Sequence, residues 1–178
     1  NIPVDNFSYD DDNVQKLKIG LPFNIQNQEN INNEVVDYYL SSIDFLKNKG
    51  FEIVEFDMES LKYAVSVYYV LSTAEAASNL SRFDGIRYGF SNRKKDFESI
   101  YFDTKTEGFG EEVKRRIILG TYVLSSGYYD QFYSKAQKVR KIIKDEIESC
   151  FKEVDLLFLP TTPELPYSIN EKKGDPLS

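Results

Sequence analysis

Two arginines, an aspartate and two glycines stand within the nine residues Ser81 to Gly89, in the run E-A-A-S-N-L-S-R-F-D-G-I-R-Y-G-F from Glu75 to Phe90. A planar guanidinium offers paired N–H donors that match both oxygens of a carboxylate, so an arginine held just beyond a helix end is suited to clamp one. Gly85 and Gly89 supply the backbone freedom that a turn at this place requires. The chemistry on offer from Arg82 and Arg87 is therefore recognition of an acid. The same residue types also serve a plain surface ion pair with Asp84, because exposed arginines are common and well solvated.

What the chain lacks narrows the chemistry further. It has no histidine, which removes Ser-His-Asp and Cys-His nucleophilic arrangements and histidine metal sites. Its one cysteine, Cys150, falls on an apolar helical stripe and reads as a small buried hydrophobe. A single cysteine cannot form an internal disulfide and fits a reducing compartment. Neither a Walker-type phosphate loop nor a G-x-G-x-x-G run is present. Asp10-Asp11-Asp12 reads as a solvated charge run and not a metal site, since consecutive carboxylates point in different directions.

The elements that must position these residues follow from periodicity. A chain of 178 residues with 41% hydrophobic content is large enough for one cored domain. A net charge of −7 argues against a dedicated nucleic-acid surface, because binding phosphates needs a basic face. No apolar run reaches the roughly 18 residues of a membrane span, and the start lacks the pattern of a signal peptide, so a cytoplasmic location is expected. Residues 1–15 read as an extended leader, and 16–178 as one α/β domain.

Lys18 to Pro22 reads as a short buried strand stopped by proline. Asn30 to Asn33 offers N-cap candidates for a helix with an apolar face at Val36, Tyr39, Leu40, Ile43 and Leu46, ended by Gly50. A strand over Phe51 to Phe56 completes a parallel βαβ unit. A long helix is expected from Ser60 to about Ser81, its small residues Ala74, Ala76, Ala77 and Ser78 permitting close approach of another backbone. Ser91 to Gly110 reads as a mobile loop with a short helix near Phe97 to Lys105. Further helices are expected from Glu111 toward Gly127 and over Tyr128 to Phe151. A buried strand, Asp155 to Pro160, then aims Pro160-Thr161-Thr162-Pro163 at a candidate site, because ligands in open α/β sheets sit beyond the carboxyl ends of strands.

The Glu75–Gly89 run is followed in order by E-G-F-G-E-E-V-K-R-R-I (Glu107 to Ile117), L-G-T-Y (Leu119 to Tyr122), S-S-G-Y-Y-D (Ser125 to Asp130), Q-K-V-R (Gln137 to Arg140) and P-T-T-P (Pro160 to Pro163). As a set, these closely resemble the later part of the A subunits of bacterial glutamyl-tRNA(Gln)/aspartyl-tRNA(Asn) amidotransferases, in the amidase-signature family. The resemblance implies part of an α/β/α sandwich, with a βαβ unit and several long helices around a mixed sheet. It also implies a Ser-cisSer-Lys triad carried by earlier segments of the family, so that the chain reads as a piece lacking both ends and, alone, inactive.

By the same resemblance, the whole subunit releases ammonia from glutamine. A partner B subunit uses ATP and Mg²⁺ to amidate a misacylated tRNA, and a C subunit braces the pair; no cofactor is expected in this chain. The resemblance assigns Arg87, with Arg82 as the weaker choice, to the glutamine α-carboxylate, and Asp155 to the α-ammonium. The alternatives are another amidase-signature hydrolase acting on simple amides, and a non-catalytic subunit-docking module.

Overall fold

The computed structural model describes residues 17–23, 25, 31–91 and 96–169. The leader, the Asp10-Asp11-Asp12 run and the end of the tail lie outside the described residues. Where one α/β domain is expected over 16–178, the chain's contacts group into two compact units. One comprises Asn1–Glu59 with Glu146–Ser178, and the other Ser60–Asp145.

The first unit is built on three parallel strands, β1 (Lys18–Leu21), β2 (Glu52–Glu55) and β3 (Leu156–Leu157), in the order β2-β1-β3. Ile19 pairs with Ile53 on one side and with Leu156 on the other. Helix α1 (Asn33–Asn48) connects β1 to β2, giving the expected βαβ unit. The Asn32 side chain accepts the Glu34 N–H, Lys47 lies in the last turn, and Gly50 follows with φ 89°. Each is what a helix end demands: a cap for a free donor, a cation at the negative pole, and a residue that tolerates the left-handed region.

Leu21, Ile25, Tyr39 and Ile43 form the core cluster of this unit. Burial of each of its three aliphatic side chains contributes about 1.5–3 kcal/mol. Gly20 lies in the middle of the sheet because a Cβ there would come within 3 Å of Leu157, Phe56 and Val154. The strand expected from Asp155 to Pro160 is realised only at Leu156–Leu157. Just beyond it the Phe158 N–H still donates to the Gly20 carbonyl of β1 at 2.9 Å, and α1 holds the same residue: the Tyr39 hydroxyl donates to the Phe158 carbonyl at 2.7 Å, and the two rings stack 5.1 Å apart. Burial, aided by Glu55, pushes the Tyr39 hydroxyl up to about 12. Cys150 is buried, its Sγ 3.7 Å from the Met58 Sδ. Burial, with Glu153 and Glu146 nearby, raises its thiol.

The second unit is helical. A 3₁₀ turn, Glu59–Tyr63, leads into α2 (Ala64–Leu80), so the helix expected from Ser60 begins with a tighter turn. α2 packs on α4 (Glu111–Leu124). At the crossing Gly120 faces the Thr73 carbonyl and Ala77, and a Cβ on it would fall well inside contact distance of that backbone oxygen. The small residues of α2 thus meet a glycine on α4. Thr73, buried at this contact, is satisfied within its own helix by donating to the Tyr69 carbonyl. Between the two lies α3 (Phe97–Thr106), capped by Asp96, which accepts the Ser99 N–H. The single helix expected over Tyr128–Phe151 is instead a π-helical segment, Tyr129–Ser134, followed by α5 (Lys135–Cys150). No described helix is long and apolar enough to cross a membrane.

Candidate functional site

The turn after α2 is organised by Asp84. Its Oδ1 accepts the backbone N–H of Ile86 at 2.9 Å and of Arg87 at 3.0 Å, and Gly85 N–H donates to the Tyr88 carbonyl. The Arg87 and Ile86 amides hold the Asp84 carboxyl below the usual aspartate range, because they favour its charged form. Gly85 and Gly89 take φ 77° and 90°, as the glycine positions suggest. Asp84 therefore serves the backbone. Arg87 is exposed, and its guanidinium has no hydrogen-bond or ion-pair partner among the described residues. Among the described residues, Arg82 approaches only the Asn79 side chain, at 3.5 Å. The surface ion pair with Asp84 is not what the turn is built on.

Asp155 has a different local role. It is exposed at the amino end of β3. Its Oδ2 accepts the Lys18 N–H at 2.8 Å, and its own N–H donates to the Lys18 carbonyl. It thereby ties the amino ends of β1 and β3. Since the three strands are parallel, the carboxyl edge favoured for ligands is marked instead by the Phe158–Pro163 run. That run is fixed by Tyr39 and by the Asn32 N–H, which donates to the Pro163 carbonyl at 2.9 Å. Arg87 and Asp155 belong to different compact units.

A constellation that sequence reasoning does not assign lies within the second unit. A polar cleft of about 310 Å³ is lined by Glu75, Ser78 and Asn79 of α2, Tyr133 of the π segment, and Gln137 and Arg140 of α5. The Gln137 amide donates to the Tyr133 hydroxyl at 3.0 Å. A carboxylate, a guanidinium, an amide and a hydroxyl on one small cleft can hold a charged polar head group by complementary hydrogen bonds. The available signal is spacing: Glu75, Ser78 and Asn79 share a helical face, as do Gln137 and Arg140. The π segment has a positional effect here, since it places Tyr133 on this cleft and Phe132 on a neighbouring apolar one. Among the described residues, no group of three or more Cys, Asp or Glu side chains is placed to hold a metal ion.

The family description that matches, Amidase, covers residues 3–178. The glutamyl-tRNA(Gln) amidotransferase A subunit of Chlorobium limicola is 48% identical over 165 residues, 92% of this chain and 35% of that protein. Its counterpart in Pelagibacter ubique, of the same name, is 45% identical over 166 residues, 93% of this chain and 34% of that protein. A solved structure of the glutamyl-tRNA(Gln) amidotransferase A subunit from Thermotoga maritima superposes with a TM-score of 0.59 at 32% identity, covering 90% of this chain and 30% of that one. The chain spans about a third of the length of the curated relatives it matches.

Proposed function

Because this chain belongs to the Amidase family, we propose that it forms part of the glutamine-hydrolysing A subunit of a tRNA-dependent amidotransferase. That enzyme would convert Glu-tRNA(Gln) to Gln-tRNA(Gln), and Asp-tRNA(Asn) to Asn-tRNA(Asn), in a cytoplasmic complex. The observation that carries this reading is identity of 45–48% to subunits of that name across more than nine-tenths of the chain. The reaction needs an acyl nucleophile, a proton relay and a grip on the amino-acid head group. The Ser-cisSer-Lys triad would come from segments outside this chain, which alone would not hydrolyse glutamine. ATP and Mg²⁺ would act in the B subunit, where the released ammonia amidates the misacylated tRNA, with a C subunit bracing the pair.

This chain would contribute head-group recognition. Arg87 is the proposed ligand of the α-carboxylate; its guanidinium has no partner among the described residues and is offered for that role. Asp155 is the proposed ligand of the α-ammonium. Its carboxylate already accepts one backbone N–H, and an ionised carboxylate has further acceptor sites. Loss of one charge-assisted contact to the substrate is worth about 1.5–3 kcal/mol, or roughly 10–150-fold in binding. In the full-length subunit, Arg87→Ala is expected to raise KM for glutamine by that factor while hydrolysis of simple amides persists. Asp155→Asn keeps an acceptor for Lys18 but removes the charge, so it isolates the substrate role from the structural one. Unchanged glutamine kinetics in both variants would remove these two residues from the site, and an equal loss on simple amides would favour a general amidase.

A further inference from the structure

Helix α3 is more than a link between α2 and α4, because the turn that carries Arg87 is fastened to its last residues at three points. Where the turn begins, the Lys105 Nζ donates to the carbonyls of Leu80, at 3.0 Å, and Ser81, at 3.3 Å. Leu80 is the last residue of α2 and Ser81 its C-cap, so a cation meets the negative pole of that helix. The same ammonium lies 5.4 Å from the Tyr101 ring centroid and 5.2 Å from that of Phe109, positions that attract a cation to the ring faces. In the middle, Gly85 lies against Thr104: a Cβ there would fall well inside contact distance of Thr104 Oγ1. Where the turn ends, Thr104, 1% exposed, donates to the Phe90 carbonyl at 2.7 Å. Phe83 and Phe109 meet edge to face across the same junction.

We propose that Lys105 is a positioning residue: it buckles the end of α2 to α3 and, with Thr104, presets the Asp84-centred turn that presents Arg87. A lysine suits this place because its compact ammonium has three donors. Two reach successive carbonyls, while the aromatic rings flank the charge. An apolar residue of similar length fills the same space but leaves the Leu80 and Ser81 carbonyls without that donor. The consequence for substrate binding rests on the reading of Arg87 given above; the buckle itself does not.

Two measurements test this. In the present chain, Lys105→Met is expected to speed hydrogen exchange at the Ile86 and Arg87 amides at least about tenfold, with the α1 amides of the other unit unchanged. Lys105→Arg, which retains cationic donors, is expected to restore most of the protection. Unaltered exchange at Ile86 and Arg87, or equal acceleration throughout, overturns the proposal. In the full-length subunit, Lys105→Met is expected to raise KM for glutamine with kcat retained, again rescued by Lys105→Arg. Faster exchange without any change in KM leaves a purely structural cap and overturns the positioning role. Should Lys105→Met fail to fold, Thr104→Val, which removes the hydroxyl shared between the Phe90 carbonyl and, within α3, the Ile100 carbonyl, is judged by the same two readouts. Arg87→Ala separates the two ways to fail. An unchanged KM there defeats the reading of Arg87 whatever the exchange rates, whereas a raised KM there, with unaltered exchange in Lys105→Met, defeats the inference alone.

Discussion

The turn around Arg87 leaves a charged head group without a partner among the described residues, whereas the strand start at Asp155 engages its charged head group with the backbone. In the turn, Asp84 takes the structural work by accepting the Ile86 and Arg87 amides. In the strand, Asp155 itself accepts the Lys18 amide. The contrast teaches how to weigh two residues singled out by the same resemblance. A side chain with a local backbone duty is constrained by that duty, and any ligand must share it. A side chain whose neighbours already satisfy the backbone is available for recognition.

Gly85 gives the strongest way to break this contrast. Its φ of 77° is unfavourable for any residue with a Cβ, and the added methyl would meet Thr104. Strain in the left-handed region costs about 1–2 kcal/mol, and overpacking typically costs about 1–3 kcal/mol more. Gly85→Ala is expected to lower the local opening free energy, read by hydrogen exchange at Ile100 and Thr104, by about 2–5 kcal/mol. A loss below about 0.5 kcal/mol, the scatter of ordinary surface substitutions, would mean that the turn is not preset by its packing on α3.

Asp155 supplies the intermediate test. Asp155→Ala removes the acceptor of the Lys18 N–H, and a hydrogen bond at an exposed site contributes about 0.5–1.5 kcal/mol. Loss of protection at the Lys18 and Ile19 amides of that size is expected, with the 81–90 turn unaffected. No change at β1 would show that the tie between strand ends is dispensable, and it would place Asp155 on the same footing as Arg87.

Much of this architecture is legible in the chain itself. The N-cap Asn32, the apolar stripe to Leu46 and the left-handed Gly50 belong to one helix whose signals are all local, so α1 and the parallel βαβ unit follow from sequence. The small-residue run Ala74–Ser78 also points correctly to a close helix contact. Its partner, Gly120, is not visible, because a lone glycine in a helical pattern does not say what it touches. The π segment escapes for a related reason. Tyr129–Ser134 carries the same apolar spacing as α5, and tertiary packing, not local propensity, inserts the wider turn.

The hold of Tyr39 on Phe158 just past β3 is likewise out of reach of local signals, because the two residues lie 119 positions apart in sequence. The polar cleft is hidden most thoroughly. Nothing in the local pattern links Glu75 to Arg140, and only the fold brings both to the lining of one cleft. The resemblance points to Arg87 and Asp155 by position in a motif, and it carries no information on which head groups the fold has already engaged.

The smallest expected effect concerns Asp84 and follows from linkage. The Arg87 and Ile86 amides bond the ionised carboxylate, so its pKa is depressed in the folded state. A depressed folded pKa contributes stability that is present above the unfolded value, about 3.9, and is lost as pH falls through the folded value. The group is exposed, so the effect is local. Carboxyl resonances observed by NMR should titrate below the ordinary aspartate midpoint, and exchange at the Ile86 and Arg87 amides, corrected for intrinsic rates, should accelerate over the same acidic interval. Asp84→Asn keeps an acceptor and removes the titration, so its turn should lose this pH dependence. A normal Asp84 midpoint, with pH-independent protection of the two amides, would transfer the burden of holding the turn from Asp84 to the α3 contacts alone. Arg87 would then owe its presentation to Lys105 and Thr104, and the contrast with Asp155 would rest on packing and not on charge.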